Sequence, residues 1–504
     1  IFGVDHIPEF FSYRNLHDDR IINDITAAMQ GEKPRFAAEF QSGSREHHVV
    51  TNPSEMELFY KASVANGLTG WNFYMFSQGR NPARRGYSGS TFYWFTPLSA
   101  EGERGSAFPL VSRMTRLVKA SEEIILEARR KAEICVLFYP PHYATELERP
   151  ETGASDLTFV PSALRRPAWF DGLLKILQVL NIDYDMADLR QATAESLKKY
   201  RQVWAFCTDE MEGTDQQTIV DYIRKGGHCV VFPYLPDRDL SQNPCTILRD
   251  ATSVYPSGKE VVESPLIDIL GHVDIKCANP QMVYDIHKAG DAEVVATTLS
   301  GSVCGFQKTL GKGSLFHLGT WMGFDTEGHK PVYEDILARS GAKLRHARSS
   351  HEMLIVRERF TDHGQAILFA ANYYNEEYSG RIHYTHPATG QETNLPLATE
   401  TMVWPALHGL LIPVAMPIAP GLKLLHTTSD ILDIRMNNKS VEITLYGHRD
   451  MAGEIAFEEE SAGIIREVTL HGIALVRTTV SHFTVFSYEH LHRQEMVMRM
   501  EFFS

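Results

Sequence analysis

The sequence predicts a protein that changes from α/β construction to all-β construction along its length. Apolar strand-like runs alternate with amphipathic helical patterns over residues 1–131, and the alternation resumes over residues 132–344. From about residue 345 the helical period disappears, and apolar residues alternate with polar ones between Gly, Asn, Asp and Pro turns. We therefore predict two α/β regions, followed at residues 345–504 by one or two β-sandwich domains.

Length and charge restrict the possible functions. A chain of 504 residues is too long for one hydrophobic core, and 43% hydrophobic with 22% charged residues is typical of globular proteins. The net charge of −14 argues against a nucleic-acid partner, because phosphate binding needs clustered Lys and Arg. A neutral partner such as a sugar fits better. No apolar run is long enough to span a bilayer, so no membrane partner is expected.

The six cysteines show neither a metal-binding nor a disulfide pattern. They have no CxxC spacing, and three of them lie in or beside apolar runs. We expect reduced, mostly buried thiols, no metal, and a cytoplasmic protein. The cysteines are Cys135, Cys207, Cys229, Cys245, Cys277 and Cys304.

The first α/β region contains three predicted strands. Strands are expected at 1–8, 35–40 and 68–76, with helices at 15–30, 53–66 and about 109–131. Three parallel units cannot close a barrel. The opening residues resemble the interior of a folded unit and lack the features of a signal peptide. We therefore expect the remaining strands to come from an amino-terminal part that precedes residue 1, or from another chain.

The second α/β region has four predicted strands, separated in part by helices. It reads as a flavodoxin-like parallel sheet with tight glycine turns before two of its strands. The strands are expected at 133–139, 203–208, 228–234 and 314–321, and the helices near 161–180 and 214–225.

Glu39 is the first candidate for chemistry. It ends the apolar strand RFAAEF and precedes the polar turn Gln41–Gly43. In a β/α barrel the carboxyl ends of the strands form the active-site face, so a carboxylate there points at substrate. An isolated glutamate at such a position is more often an ordinary surface residue, and its neighbours decide between the two interpretations.

The next strand carries side chains that suit a sugar. Trp71, Asn72 and Tyr74 lie in GWNFYMFSQGRNP. Aromatic rings stack on the C–H face of a pyranose while Asn and Tyr bind its hydroxyl groups. The alternative is that this aromatic strand belongs to the hydrophobic core.

Residues 71–103 resemble glycoside hydrolase family 35. The residues that match a segment of that family in order are the run Asn72–Phe76, then Gly79, Asn81, Pro97, Leu98, Ser99, Gly102 and Glu103. The family's preceding strand carries the nucleophilic glutamate in a context similar to EFQSG, residues 39–43. The resemblance implies a (β/α)8 TIM barrel of which this numbering holds the carboxyl-terminal strands, with Glu39 as nucleophile. The second region resembles the amidotransferase-like domain of family 42.

The resemblance also sets expectations for the rest of the site. It places the acid/base glutamate on a strand that precedes residue 1, outside this chain. Asp5 and His6, which follow the first strand, are predicted to shape the substrate site or support the nucleophile, with ordinary loop residues as the alternative. Where the family has acidic groups near the sugar, this sequence has Phe92–Phe95, which leaves the sugar open.

Other constellations are weaker. Neither spacing nor a third ligand supports a metal at His47 and His48. Cys207 lacks the glycine elbow that would expose a nucleophilic thiol, so the second region is given a structural or oligomerisation role.

The predicted function is a retaining exo-β-glycosidase that needs no cofactor. By resemblance its substrate is an oligosaccharide or β-glycoside with a terminal galactose. An exo-β-D-glucosaminidase is the alternative, because family 35 also contains archaeal glucosaminidases with a family 42-like second domain. A hypothesis of another class is a non-catalytic carbohydrate-binding subunit whose barrel is completed by another polypeptide. A homo-oligomer is expected.

Overall fold

The computed structural model describes residues 3–8, 11–43, 53–85, 91–92, 95–146, 157–286, 290–324 and 328–503. The chain forms two compact units. Unit 1 consists of Ile1–Thr26, Glu32–Lys131 and His346–Ser504, and unit 2 consists of Ala27–Gly31 and Ala132–Arg345. No helix in the described part of the chain has the length and apolar character needed to cross a membrane.

The first segment of unit 1 contains a three-stranded parallel sheet in the order β1-β2-β3. The three strands predicted from the sequence are confirmed. Two antiparallel strands of two residues each, β4 and β5, follow them. The strands are β1 Gly3–His6, β2 Phe36–Gln41, β3 Gly70–Tyr74, β4 Gly79–Arg80 and β5 Thr91–Phe92; the helices are α1 Asp18–Gln30, α2 Pro53–Ala65, α3 Phe108–Ala120 and α4 Glu122–Glu127.

The prediction of one helix over 109–131 is wrong. The helix is interrupted at Ser121, and α4 ends at Glu127. Beyond it the backbone of Arg129 exchanges two hydrogen bonds of 2.8 Å with Phe360. The chain leaves the helical conformation because its backbone groups here bind an extended segment of the carboxyl-terminal region.

Unit 2 is built on a nine-stranded mixed sheet. The four predicted strands are present as β6, β8, β9 and β16, and together with β7 they form a parallel sheet in the order β16-β9-β8-β6-β7. Four antiparallel strands extend it beyond β16, in the order β15-β14-β11-β12. The predicted strands therefore form the parallel part of the sheet, and the antiparallel extension is additional to them.

The strands of unit 2 are β6 Ile134–Phe138, β7 Tyr184–Asp188, β8 Gln202–Cys207, β9 His228–Pro233, β10 Tyr255–Glu260, β11 Leu266–Ile269, β12 His272–Lys276, β13 Gln281–Asp285, β14 Glu293–Thr298, β15 Val303–Leu310 and β16 Gly313–Leu318. Its α-helices are α5 Pro161–Leu164, α6 Lys175–Val179, α7 Ala194–Leu197, α8 Gly213–Arg224, α9 Ile247–Thr252 and α10 His329–Ala338. A 3₁₀ turn covers Pro140–Glu146, and a π-helical stretch, Arg165–Leu174, joins α5 to α6.

All six cysteines lie in unit 2, and none of them is paired in a disulfide. Five of them are buried. Burial raises the pKa of the Cys207 thiol well above its ordinary value. Burial of this kind disfavours the thiolate, which is the nucleophilic form of cysteine.

The carboxyl-terminal part of unit 1 is almost entirely antiparallel β-structure, as the sequence predicts. The sheets β18-β19-β24 and β17-β21-β22 contribute to one apolar core, which contains Leu368, Tyr384 and Leu410. Two five-stranded sheets follow, ordered β25-β26-β29-β33-β32 and β27-β28-β34-β30-β31.

The elements of this part are β17 Ala347–Ser349, β18 Leu354–Phe360, β19 Ala366–Asn372, β20 Tyr378–Gly380, β21 Ile382–Thr385, β22 Glu392–Leu395, β23 Met402–Trp404, β24 His408–Val414, β25 Met416–Ala419, β26 Leu422–Thr427, β27 Asp430–Met436, β28 Ser440–Tyr446, β29 Ala452–Glu458, α11 Glu459–Ala462, β30 Ile465–Leu470, β31 Ile473–Ala474, β32 Arg477–Val480, β33 Phe483–Glu489 and β34 Met496–Phe502.

A buried lysine joins the two parts of unit 1. Lys61 of α2 is 1% exposed, and its ammonium donates to Glu57 at 2.7 Å, to Asp430 at 2.7 Å and to the carbonyl of Gly409 at 2.9 Å. Burial would lower the pKa of Lys61, but attraction to Asp430 and Glu57 raises it instead. Burial would likewise raise the pKa of Glu57, yet attraction to Lys61 lowers it to about 2. All three donor positions of the ammonium are therefore used, and the charge is compensated by both carboxylates.

Replacing this lysine tests how far the contact holds unit 1 together. In Lys61→Met the buried carboxylate of Asp430 loses its cation, while the half-buried Glu57 keeps only Arg113 at 3.4 Å, and we expect the free energy of unfolding to fall by about 3 kcal/mol. Urea denaturation measures it. Lys119→Met, an exposed lysine of α3, is the matched control and should change the value by less than about 0.5 kcal/mol. Equal effects of the two substitutions would contradict this role of Lys61.

Candidate active site

Strand β2 carries one residue more than each of its two neighbours. Against β1, Ala37 pairs with Val4 and Glu39 with Asp5, so Ala38 has no partner on that side. Against β3, Ala37 pairs with Trp71 and Phe40 with Phe73. The same short stretch is therefore bulged towards both neighbours. Such bulges re-aim the side chain that follows, and here that side chain is Glu39.

The bulge separates the predicted site residues into two groups. Partners in a ladder point to the same face of a sheet, so Asp5 and Glu39 share one face. Tyr74 joins them, because it pairs with Gln41, two residues beyond Glu39. Asp5 is exposed, and Glu39 and Tyr74 are half-buried. We call this the open face of the sheet.

Asn72 fixes the bulge from the neighbouring strand. Its side-chain amide donates a hydrogen bond of 3.2 Å to the carbonyl of Ala38, the residue that both register shifts pass over. The Asn72 side chain is otherwise exposed. A backbone carbonyl that a bulge removes from the ladder needs such a donor, so Asn72 holds the conformation that precedes Glu39.

The opposite face packs against helix α2 through an aromatic cluster. Phe40 is 1% exposed, and its ring lies 4.9 Å from the rings of both Phe59 and Tyr60. Trp71 lies 5.6 Å from Phe40 and 6.1 Å from Phe73, measured between ring centres. The structure therefore places Trp71 in this cluster and does not bring its indole together with Glu39, as the alternative interpretation of the aromatic strand anticipated.

His6 also lies on the helix-packed side. It is 3% exposed, and its Nδ1 lies 2.9 Å from Oδ1 of Asp19 in α1. The same carboxylate accepts a hydrogen bond of 2.6 Å from Ser63 and one of 2.5 Å from Asn66. His6 is thus a buried link between β1, α1 and α2, where it supports the strand that lies beside Glu39 without sharing the open face.

The turn after Glu39 is held on two sides, and sequence reasoning did not assign these roles. Tyr60 of α2 donates to the carbonyl of Gln41 at 2.7 Å. The Ser42 backbone donates to the carbonyl of Tyr74 at 3.1 Å, and its hydroxyl donates to that of Met75 at 2.8 Å. These bonds tie the end of β2 to α2 and to the end of β3. A polar turn between a strand and a helix indicates that its backbone is held by hydrogen bonds. The sequence does not indicate which residues form them.

Two large aromatic side chains remain exposed beyond β3. Phe76 is 41% exposed and Phe95 is 52% exposed. Backbone hydrogen bonds of 2.9 Å from Gln78 to Leu98 and from Leu98 to Phe76 hold their segments side by side. Exposed rings next to polar groups are a common feature of sugar-binding surfaces. Tyr93 and Trp94 lie outside the described residues, as do Glu9, His47 and His48.

The described side chains around Glu39 do not form a metal-binding group. Among the described residues, Glu39 belongs to no group of three His, Cys, Asp or Glu side chains close enough together to share an ion. The chemistry available on the open face is that of carboxylates, an amide and a phenol: nucleophilic attack, proton transfer and hydrogen bonding to hydroxyl groups.

Comparison with known sequences connects the chain to enzymes that act on sugars. Residues 157–289 match the family described as "GLMA-like, second domain". A β-1,2-glucosyltransferase of Ignavibacterium album is 34% identical over 75% of this chain and 53% of its own length. An exo-β-D-glucosaminidase of Pyrococcus horikoshii is 25% identical over 75% of this chain and 47% of its own length. The chain thus spans about half the length of these curated relatives.

Comparison with solved structures concerns the fold. A β-galactosidase from Bacillus circulans sp. alkalophilus superposes with a TM-score of 0.62 at 16% identity, covering 82% of this chain and 59% of that chain. A GH42 β-galactosidase from G. stearothermophilus superposes with a TM-score of 0.63 at 13% identity, covering 80% of this chain and 57% of that chain. The fold is that of these β-galactosidases. At such low identity the likeness extends to the fold alone. The predicted family 35 and family 42-like domains therefore stay predictions.

Phe40 offers a direct test of the two faces. Phe40→Ala would leave a cavity inside the aromatic cluster, and we expect unit 1 to lose about 3–5 kcal/mol of stability. Phe36→Ala, on the same strand but 37% exposed, is the matched control and should cost less than about 1 kcal/mol. Urea denaturation of the two variants measures the difference. If Phe40→Ala lowered the stability no more than its control does, Phe40 would not lie on the face packed against α2, and Glu39 would not lie on the open face.

Proposed function

We propose that the protein is a retaining enzyme acting on terminal β-linked sugars, with Glu39 as its nucleophile. The observation that carries this proposal is the position of Glu39: it follows a bulge at the carboxyl end of the central strand, on the open face and beside Asp5. The carboxyl ends of parallel strands form the active-site edge in β/α barrels. The sugar-active relatives support the same assignment.

The chemistry follows from the requirements of a retaining mechanism. The Glu39 carboxylate attacks the anomeric carbon, the bond to the leaving oxygen breaks, and a glycosyl ester forms on Glu39. A second carboxyl group, about 5–5.5 Å from the first, protonates the leaving oxygen and then activates the incoming hydroxyl. The resemblance to family 35 assigns this group to a strand that precedes residue 1. In this chain the proposal therefore concerns the nucleophile and the side chains around it.

The sugar is proposed to have the gluco configuration. The two curated relatives described above carry names that refer to glucose and glucosamine, which share the same ring stereochemistry. The galactose predicted by family resemblance is supported only by structural neighbours at 13–16% identity, whose likeness concerns the fold. We therefore place glucosyl ahead of glucosaminyl, and both ahead of galactosyl.

Two fates of the ester define the candidate activities. Transfer to the hydroxyl group of a second sugar would make the protein a β-glucosyltransferase, which is favoured by the 34% identity to such an enzyme. Attack by water would make it an exo-β-glycosidase, and the glucosaminidase relatives at 25% and 27% identity favour that alternative. Both reactions pass through the same glycosyl ester. They differ in whether a sugar or water occupies the leaving-group side of the site when the ester is broken.

Substitution of Glu39 tests the nucleophile. Glu39→Ala should lower turnover of an aryl β-glucoside at least about a thousandfold, because the ester can no longer form. Added azide should restore turnover and give the α-glycosyl azide, since azide enters from the vacated side. Glu32→Gln, an exposed glutamate ahead of β2, is the control and should behave as wild type. An α-azide absent from the product mixture, with turnover intact, would remove Glu39 from this role.

Products decide between the candidate activities. With an isotope-labelled aryl β-glucoside as donor and unlabelled glucose as acceptor, a transferase gives a labelled β-1,2-linked disaccharide, whereas a hydrolase gives labelled free glucose. The same assay with aryl β-glucosaminide and β-galactoside ranks the three sugars. Failure of all three donors with the protein whose barrel is complete would reject the proposed function and favour a non-catalytic carbohydrate-binding protein.

Asn72→Ala tests the bulge. Loss of the hydrogen bond to Ala38 should let the bulge relax and displace Glu39, so turnover should fall about five- to tenfold with little change in stability. Asn438→Ala, an exposed asparagine in the turn after β27, serves as the control. Unchanged turnover in Asn72→Ala would show that the bulge does not depend on this amide.

A further inference from the structure

Two carboxylates lie side by side on the open face. Asp5 of β1 and Glu39 of β2 are direct partners in the parallel ladder, and neighbouring strands of a sheet are about 4.8 Å apart. The residues that follow them, His6 and Phe40, are 3% and 1% exposed, whereas Asp5 is exposed and Glu39 half-buried. This alternation agrees with the ladder: both carboxylates leave the sheet on the same side.

The pair has no cation beside it in the described part of the chain. Among these residues, neither the Asp5 nor the Glu39 carboxylate forms a hydrogen bond or an ion pair. The carboxylate of Asp19, on the other face, accepts hydrogen bonds from Ser63 and Asn66. Ionised carboxylates only accept hydrogen bonds, and two of them side by side repel each other. The open face therefore favours a ligand that brings a hydrogen-bond donor to Asp5.

The position of Asp5 does not suit an acid that protonates the leaving group. In a retaining reaction the nucleophile attacks one side of the anomeric carbon, and the acid protonates the leaving oxygen on the other side. Asp5 lies beside Glu39 on the same face of the sheet, and hence on the nucleophile's side of the sugar. A sugar attacked by Glu39 would present to Asp5 one of the two ring neighbours of its anomeric carbon.

The groups on the two sides of Glu39 distinguish these two neighbours. The strand order β1-β2-β3 places Asp5 on one side of Glu39 and Tyr74 on the other. In the sugar, C2 carries a hydroxyl or ammonium group that donates hydrogen bonds, whereas the ring oxygen only accepts them. A carboxylate matches the donor at C2, and a phenol can donate to the ring oxygen. The complementary orientation places C2 over Asp5 and the ring oxygen towards Tyr74.

We propose that Asp5 is a specificity-determining residue that binds the C2 substituent of the sugar attacked by Glu39. The substrate class is a β-glycoside with a hydroxyl or an ammonium group at C2. The proposal rests on the proposed function and deepens it, because it assigns the orientation of the sugar ring on the sheet. The bond from C2 to Asp5 strengthens in the transition state, since positive charge at the anomeric carbon makes the C2 hydroxyl group a better donor.

The test combines one substitution with one deleted hydroxyl group, in the protein whose barrel is complete. Asp5→Asn should lower kcat/KM about ten- to a hundredfold for an aryl β-glucoside, and at least as much for an aryl β-glucosaminide. For an aryl 2-deoxy-β-glucoside the change should stay within about twofold, because the group that Asp5 binds is missing. Tyr74→Phe should lower kcat/KM of the 2-hydroxy and 2-deoxy donors by the same factor.

Asp362→Asn is the matched control, because it removes the charge of an exposed aspartate in the turn after β18. It should leave all three donors unchanged. Three results with an active wild type would overturn the proposal: an equal loss for the 2-deoxy donor, no loss in Asp5→Asn, or a loss that depends on the C2 group in Tyr74→Phe instead.

Inhibitor binding keeps this inference separate from the proposed function. 1-Deoxynojirimycin has the C2 hydroxyl group of glucose, whereas isofagomine lacks it. In calorimetric titrations Asp5→Asn should weaken the binding of 1-deoxynojirimycin about tenfold and leave that of isofagomine within about twofold. This result supports the contact even if Glu39 proves not to be the nucleophile. Equal affinities of the wild type and Asp5→Asn, or no binding of either inhibitor to the wild type, would reject the contact while leaving the assignment of Glu39 to its own test.

Discussion

The bulge at Ala38 is the constraint on which the candidate site depends. A regular strand would place Ala37 and Glu39 on the same face, and the buried position of Ala37 would then draw the carboxylate towards helix α2. One extra residue reverses that relation: Ala37 and Phe40 share the buried face, and Glu39 turns to the open face beside Asp5. The conformation is held by the amide of Asn72 on one side and by the packed ring of Phe40 on the other.

The elements around the bulge are fixed by buried polar contacts as well as by rings. The carboxylate of Asp19 forms hydrogen bonds with His6, Ser63 and Asn66. These bonds link α1 and α2 to β1, the strand beside Glu39. Lys61 ties α2 to the carboxyl-terminal β-structure through Asp430 and Gly409. Removal of one partner from such a buried set is costly, whereas the complete set roughly balances its desolvation. Helix α2 is therefore held on both sides, and the position of β2 follows from it.

The sequence predicted the parts of this structure that depend on local pattern. The three strands of the first region, the four apolar strands of unit 2 and the all-β character beyond residue 345 follow from apolar periodicity. Glu39 could be singled out because it stands between an apolar strand and a polar turn. Trp71 could not be assigned to a face, since the register that places it beside Phe40 depends on the bulge. The sequential hairpins β11–β12 and β14–β15–β16 of unit 2 were not among the predicted strands, because their apolar residues stand among polar ones.

The most direct measurement is to identify the residue that forms the glycosyl ester. Incubation with an activated 2-deoxy-2-fluoro β-glucoside, followed by tryptic digestion and mass spectrometry, locates the trapped sugar. Cleavage after Arg35 and Arg45 releases residues 36–45, in which Glu39 is the only carboxylate. The assignment of Glu39 predicts that this peptide carries the label, at Glu39 itself. A label on any other peptide would contradict it.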